Sequence, residues 1–323
     1  MTIQNLRKNL KIVIKTKDRI KKLRNKTYNK IILKYGLNEK NVHLFVSDDN
    51  DYEKYSAAYT KCKVIKGPPG IAAIDNFIVE YFKQGEIYLY MNDDISGFKK
   101  ATNPKTIRDV SKPEFYKILQ KMINECMKYG FTYGGFYPVP NPYFMYNGTK
   151  GKEIRYDLCM VMDPLSICIN NKTVKLTTIK VKKPDGSIFS GESSDAEKCI
   201  LHYKDRGGLV RFNQYAAIVE YYGKQGGYQG RNNFTEDYTA KEMMKLYPNY
   251  VKGINYKKNG NTSLKLNPNP NVKITNQKIS NSDMLQLKSK TMKTKKRKSP
   301  LKKRKSPLKK RKSPTKKRKS RKD

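Results

Sequence analysis

Asp93 and Asp94 stand side by side directly after Ile87-Tyr88-Leu89-Tyr90-Met91-Asn92, and Ile95-Ser96-Gly97 follows them. An apolar and aromatic run closed by two carboxylates reads as a strand buried on both faces with charge at its tip. In open α/β sheets, ligands bind outside the carboxyl ends of the strands, so this tip is a candidate site. Adjacent carboxylates repel, and each resists ionising unless a cation or hydrogen-bond donors compensate. A hard divalent ion that itself holds a diphosphate would provide that compensation. A strand followed by a plain polar turn leaves the same residues, since Asp, Ser and Gly are common turn formers.

The elements that must position this tip repeat its pattern. Val42-His43-Leu44-Phe45-Val46 ends in Ser47-Asp48-Asp49, and Leu10 to Ile14 ends in Lys15-Thr16-Lys17-Asp18-Arg19. Both are expected to be strands, with a third at Cys62 to Ile65. One helix is expected through Tyr35 with Gly36 as its cap. A second follows the rigid turn Gly67-Pro68-Pro69-Gly70 and carries Ile71, Ile74, Phe77, Ile78, Tyr81 and Phe82 at helical spacing, as core residues. Alternating strands and helices with short loops imply an α/β fold with a mostly parallel sheet and helices on both faces.

Ser111-Lys112-Pro113-Glu114 is a capping box opening a helix that ends before Gly130. Gly134-Gly135, with Pro138 and Pro140 beyond, is expected to expose backbone to a ligand. Leu158 to Met162, Thr173 to Lys182 and Leu209 to Tyr222 read as further strands. Ser194-Asp195-Ala196-Glu197 is a second capping box, on a helix stopped by Gly207-Gly208. The helix dipole alone favours an acid at Asp195. The stretch Gly223 to Arg231 lacks phosphate-loop spacing and reads as a loop able to fold over a ligand.

Composition narrows the partners. The chain of 323 residues carries a formal charge of +41. Residues 288–323 hold 21 Lys+Arg and one acid, net +20, which leaves 48 Lys+Arg and 27 acids, net +21, for the remainder. Both parts are therefore basic, and a polyanion, above all nucleic acid, is the natural partner. From about Leu266 the apolar pattern lapses, so residues 1–265 are expected to fold, 266–290 to link, and 291–323, with its Lys-Lys-Arg-Lys-Ser-Pro repeats, to stay disordered. Such clusters suit nuclear targeting or phosphate contacts. Five scattered cysteines without a C-x-x-C pair indicate reduced thiols in an intracellular compartment, and with only His43 and His202 no zinc site is readable. His43 alternates inside a strand and reads as packing. No long apolar run marks a membrane span or a secretory signal.

Taken in order, Ile12 to Arg19, Leu44 to Asp48, Gly67 to Asn76 and Asn92-Asp93-Asp94-Ile95 resemble the nucleotide-sugar half of a GT-A glycosyltransferase. Tyr52-Glu53-Lys54-Tyr55, Pro69-Gly70-Ile71, Tyr133 to Met145 and Cys199 to Gln229 are similar to the TET-associated glycosyltransferase family of phages and large DNA viruses, over about residues 10 to 260. The resemblance implies a Rossmann-like sheet, a UDP- or GDP-linked sugar donor, and a hydroxymethylated pyrimidine in DNA as acceptor. A protein hydroxyl is the related acceptor, and a non-catalytic nucleic-acid-binding protein on a degenerate fold is the alternative of another class. By the same resemblance Asp93 and Asp94 would hold Mn²⁺ or Mg²⁺ on the donor diphosphate. Thr16, Arg19, Asp48 and Asn76, with Asp93, would bind the donor. Asp195 would be the general base, and Gly207 and Gly208 would shape the acceptor side. Two positions depart from the pattern: Asp75 stands where relatives tend to carry Arg, and Asn92 where many carry a third acid. If the chain is viral, the host nucleus or a viral factory is the implied location.

Overall fold

The computed structural model describes residues 2–191, 193–219, 232–256 and 262–270. The Gly223 to Arg231 loop and the basic repeats lie outside the described residues.

Helix α1 (Ile3–Asn9) leads into β1 (Lys11–Lys15), whose three central residues are buried. The next helix begins as α2 (Ile20–Leu23) and continues with π winding over Arg24–Leu33, with Gly36 at φ +65° beyond it. Then come β2 (Val42–Val46), α3 (Asp49–Ala58), β3 (Lys63–Lys66), α4 (Ile71–Tyr81) and β4 (Ile87–Met91). A hairpin of β5 (Gly97–Asn103) and β6 (Thr106–Asp109) precedes α5 (Lys112–Tyr129), which opens on the Ser111 cap and closes on Gly130 at φ 70°. Next are β7 (Tyr133–Tyr137), α6 (Pro142–Tyr146), β8 (Ile154–Arg155) and β9 (Leu165–Ile169). The hairpin β10 (Ile179–Lys182) and β11 (Ile188–Gly191) leads to α7 (Ser194–Arg206) and the long β12 (Val210–Ile218). Helix α8 (Asn233–Leu246) and the pair β13 (Val251–Tyr256) and β14 (Thr262–Leu266) complete the described chain.

The expected α/β sheet is present. Its order is β3-β2-β1-β4-β9-β7-β12-β5-β6, with β8 beside β12. From the pairings, β1, β2, β3, β4, β6, β7 and β12 run one way and β5, β8 and β9 run against them. Alternation along each strand sends side chains to two cores. Ile12, Ile14, Leu89 and Met91 pack with α1, α3, α5 and the π-wound helix on one face. Val13, Tyr88 and Tyr90 pack with α4, α7 and α8 on the other. Parallel strands covered on both faces explain why β1, β2 and β4 are continuous apolar runs.

Several expectations are corrected. Of the strand expected over Thr173 to Lys182 only Ile179–Lys182 forms, and Tyr81, expected in the core, is 43% exposed. Leu158 to Met162 is not a strand: it lies across the sheet, with Cys199 Sγ bonded to both the amide and the carbonyl of Val161. Gly135 makes room for it, since a Cβ there would meet Val161 Cγ1 at 2.5 Å and Leu165 O at 2.6 Å. Gly134 likewise faces Val210 O at 2.9 Å, so these glycines serve close packing of the chain on itself rather than a ligand. Ser194 is not a cap either: the cap position is Ser193, without a side-chain bond, and Glu197 instead accepts from Thr177 N and Tyr247 Oη. His43 packs as expected, edge-on to Tyr81 and Phe82, and burial pushes its imidazole down to about 4. All five cysteines are free thiols. No helix among the described residues is long and apolar enough to cross a membrane.

Candidate active site at the carboxyl edge

The parallel strands β1 and β4 bring Thr16, Arg19, Asp93 and Asp94 together at their carboxyl ends. Thr16 Oγ1 donates to Asp93 Oδ2 at 2.8 Å and lies 2.8 Å from Tyr55 Oη, which also accepts from the Arg19 amide at 3.0 Å. Arg19 Nη1 lies 3.2 Å from Asp93 Oδ1 and 3.9 Å from Asp94 Oδ2, and Lys22 Nζ lies 3.8 Å from Asp94 Oδ2. The acid loop is itself clamped from the π-wound helix: the buried Thr27 Oγ1 donates to Asn92 O at 2.7 Å and accepts from Ile95 N at 2.8 Å. Irregular winding in a helix is often found at functional sites, and here it faces the two acids.

Both carboxylates are nearly sealed, with Asp93 4% and Asp94 6% exposed. Burial, then the charge of Asp93, pushes Asp94 up to about 6; burial also raises Asp93, against the opposing pull of Arg19. Asp94 Oδ1 is buried with no hydrogen-bond partner, a cost seldom left standing in a folded protein. Hard carboxylate oxygens with one orphaned acceptor suit Mg²⁺ or Mn²⁺, which takes one or two carboxylates and fills its remaining positions with phosphate and water. Among the described residues no group of three or more His, Cys, Asp or Glu gathers as a closed metal cage. The two buried carboxylates, with Asp94 Oδ1 unpartnered, fit an ion whose remaining positions a diphosphate and water would fill.

Asp48 caps α3 at the neighbouring edge of β2, accepting from Asp51 N at 2.8 Å. Asn76 is spent elsewhere: its amide donates to Leu176 O at 2.9 Å and accepts from Leu176 N at 2.7 Å. Gly207 and Gly208 are not beside Asp195. They close the far end of α7, roughly 18 Å along the axis from it. Gly207 is its left-handed cap at φ 74°, and a Cβ on Gly208 would strike the Phe131 ring at 2.1 Å.

Between Asp195 and the strand tips lies a charge cluster that the sequence reading missed. Lys15 Nζ reaches Asp75 at 2.7 Å and Asp163 at 3.1 Å. Lys198 Nζ reaches Asp163 at 2.8 Å and Asp75 at 3.0 Å. Both ammonium groups sit over the Tyr90 ring, at 5.2 and 4.3 Å from its centroid, and Tyr90 Oη donates to Asp75. Two lysines thus meet two aspartates, which accounts for an acid at position 75. Burial works against each charge, yet Lys198 and Lys15 hold Asp163 well below the usual carboxylate range, and Asp163 and Asp75 hold Lys198 well above the usual lysine range. The Asp163 amide donates to Asp195 Oδ1 at 3.0 Å. Burial, then the Asp163 charge, pushes Asp195 up to about 7. The only local signal of this cluster was Lys198, three residues after Asp195 and so on its face of the helix.

Lys198→Met should leave two buried carboxylates facing one amine. Breaking a buried pair in this way costs about 3–5 kcal/mol, to be read from urea unfolding. A loss under about 1 kcal/mol would show that the cluster is solvated rather than structural. A cavity beside it, lined by Asp75, Tyr88, Tyr133 and His202 among others, encloses about 20 Å³. That is room for about one water, not for a nucleotide.

No family model matches the chain, and no curated protein matches it. Solved structures similar to it include the S. aureus TarS 1–349 fragment in complex with UDP-GlcNAc, at 12% identity over 73% of this chain and 66% of that one, TM-score 0.42. Glucosyl-3-phosphoglycerate synthase from Mycobacterium tuberculosis with Mn²⁺ and UDP-glucose matches at 9% identity over 83% and 91%, TM-score 0.42. GalNAc-T7 with UDP, GalNAc and Mn²⁺ matches at 12% identity over 75% and 50%, TM-score 0.41. Likeness of this degree assigns no activity to the chain.

Proposed function

We propose that the chain is a divalent-metal-dependent glycosyltransferase of the TET-associated type, moving a sugar from a UDP- or GDP-linked donor to the hydroxyl of a hydroxymethylated pyrimidine in DNA. The observation that carries this reading is the pair Asp93 and Asp94, buried at the carboxyl edge of β1 and β4 with Asp94 Oδ1 unpartnered. Asp93 and Asp94 would hold Mn²⁺ or Mg²⁺, which supplies positive charge to the leaving nucleoside diphosphate. Thr16 and Tyr55 fix the orientation of Asp93, and Thr27 fixes the loop on either side of the two acids. Arg19 and Lys22, already within 4 Å of these carboxylates, stand ready to turn to the phosphates once an ion takes their place.

Asp195 takes the proton of the acceptor hydroxyl. Burial and the Asp163 charge raise its carboxyl toward neutrality, which makes it a stronger base than an ordinary aspartate. The basic surface and the Lys-Arg-Ser-Pro tail hold the polyanionic acceptor, and the tail clusters would direct the chain to a nucleus or viral factory. One arrangement favours the second reading, a nucleic-acid-binding protein on a degenerate fold: Arg19 and Lys22 partly neutralise the acid pair without any metal.

The acceptor is tested by incubating the full chain with labelled nucleotide sugars and Mn²⁺, together with hydroxymethylated DNA, unmodified DNA of the same sequence, or a Ser/Thr-rich peptide. Label is expected in the hydroxymethylated DNA alone. Label in the peptide alone would make the chain a protein glycosyltransferase, and label in none would favour the non-catalytic reading.

A further inference from the structure

Arg211 and Arg155 face each other directly across the antiparallel pair β8 and β12, so two guanidinium groups project from the same side of the sheet. Like charges placed so are unfavourable unless something anionic lies between or beside them. Arg155 has an answer in Asp157, to which its Nε donates. Arg211 has no carboxylate within reach among the described residues. Its Nε donates to Asn213 Oδ1 at 2.9 Å and its Nη1 to Met160 O at 3.2 Å, both neutral acceptors, and it lies over the Tyr137 ring at 4.8 Å. Only 6% of the residue is exposed, so a full positive charge is almost withdrawn from water without a counter-charge among the described residues.

The location is informative. Across the sheet Arg211 shares a row with Gly135, Ser166, Tyr90 and Val13. It therefore stands on the face that carries the Lys198 cluster and α7. The segment that accepts its hydrogen bond at Met160 reaches Asp163, the residue that holds Asp195, after three residues, at most about 11 Å of extended chain. Tyr137, beneath the guanidinium, ends β7 at the same carboxyl edge that carries Asp93 and Asp94.

We propose that Arg211, with Arg155 opposite, is a binding site for a phosphate group of the acceptor, on the sheet face that carries α7 and Asp195. Arg presents a planar fork of donors matched to phosphate, and Nη2 of Arg211, which makes no hydrogen bond among the described residues, is the arm offered to a ligand. The anion balances the second guanidinium and lets the like-charged pair stand. The assignment of this phosphate to the acceptor rests on the transferase reading; the anion site itself rests only on the paired arginines. The phosphate can be a phosphodiester of nucleic acid or a monoester on a small acceptor.

The test uses the full chain at fixed ionic strength, with thermal unfolding read against inorganic phosphate, a dinucleotide bearing one phosphodiester, glycerol phosphate, and chloride as the control. Wild type is expected to shift with phosphate and with one of the two esters, and the better ester identifies the source. Arg211→Gln and Arg155→Gln should each weaken that binding about tenfold or more, the weight of one charge-assisted hydrogen bond. The Mn²⁺-dependent shift with a nucleotide sugar should survive in both. Phosphate and ester binding at wild-type strength in Arg211→Gln would overturn the site and leave Arg211 as a pin for Met160. Should Arg211→Gln not fold, undiminished binding in Arg155→Gln overturns it equally. A phosphate shift lost in the variants, from a protein that binds no nucleotide sugar, would leave the anion site standing and remove the transferase reading instead.

Discussion

Asp94→Asn should abolish metal-dependent turnover of the nucleotide sugar, by roughly 10³-fold or more, while leaving the protein folded. The ion's charge on the leaving diphosphate is worth several kcal/mol, and each 1.36 kcal/mol is about tenfold in rate. The amide keeps the shape of the side chain but not the charge that holds the ion. The substitution should not cost stability at neutral pH. Asp94 is raised to about 6 by burial and by Asp93, above its value of about 3.9 in an unfolded chain. Its contribution is therefore fully present below pH about 4 and lost as pH rises through 6, so the ionised form burdens the fold at pH 7. The variant should unfold at the same or a higher temperature than wild type at pH 8, with that advantage shrinking at pH 5. Normal donor turnover by a folded Asp94→Asn would remove Asp94 from the site.

Asp195→Asn is expected to keep metal-dependent donor binding and to lose transfer by about 10²–10⁴-fold, the usual span for one general base. In wild type the transfer rate should rise with pH through about 7, since Asp195 must be ionised to take a proton and its folded value lies near there. The sign for stability is the reverse: its carboxyl is raised on folding, so its contribution is greatest when protonated and is lost as pH rises through 7. A variant of Asp195 that transfers normally but unfolds earlier would reduce the residue to a helix-end acid.

The strands that deliver the site were readable because each is a short apolar run broken abruptly by polar residues. The edge acids Asp48, Asp93 and Asp94 followed from that alone. The Lys15, Asp75, Asp163 and Lys198 cluster was not readable, because its members come from β1, α4, the chain before β9, and α7, and only folding brings them together. Leu158 to Met162 misled because an apolar run fits a strand and a segment laid over a sheet equally well, and the deciding feature, the missing side chain of Gly135, is distant in sequence. Ser194 misled because Glu197, the partner a capping box needs, is drawn away by Tyr247 and the Thr177 amide. The opposed arginines were invisible because the pairing of β8 with β12 joins two stretches far apart in sequence.

The central claim is a donor site built on Asp93 and Asp94, and a ligand that binds only the folded state reveals itself by raising the unfolding midpoint. The direct measurement is thermal unfolding of wild type and Asp94→Asn against a panel of UDP- and GDP-sugars, with and without Mn²⁺. A shift with one donor, present only with Mn²⁺ and absent from Asp94→Asn, is the predicted result. No shift with any donor, from a protein that still binds duplex DNA, would contradict the claim and leave a nucleic-acid-binding protein on a transferase-like sheet.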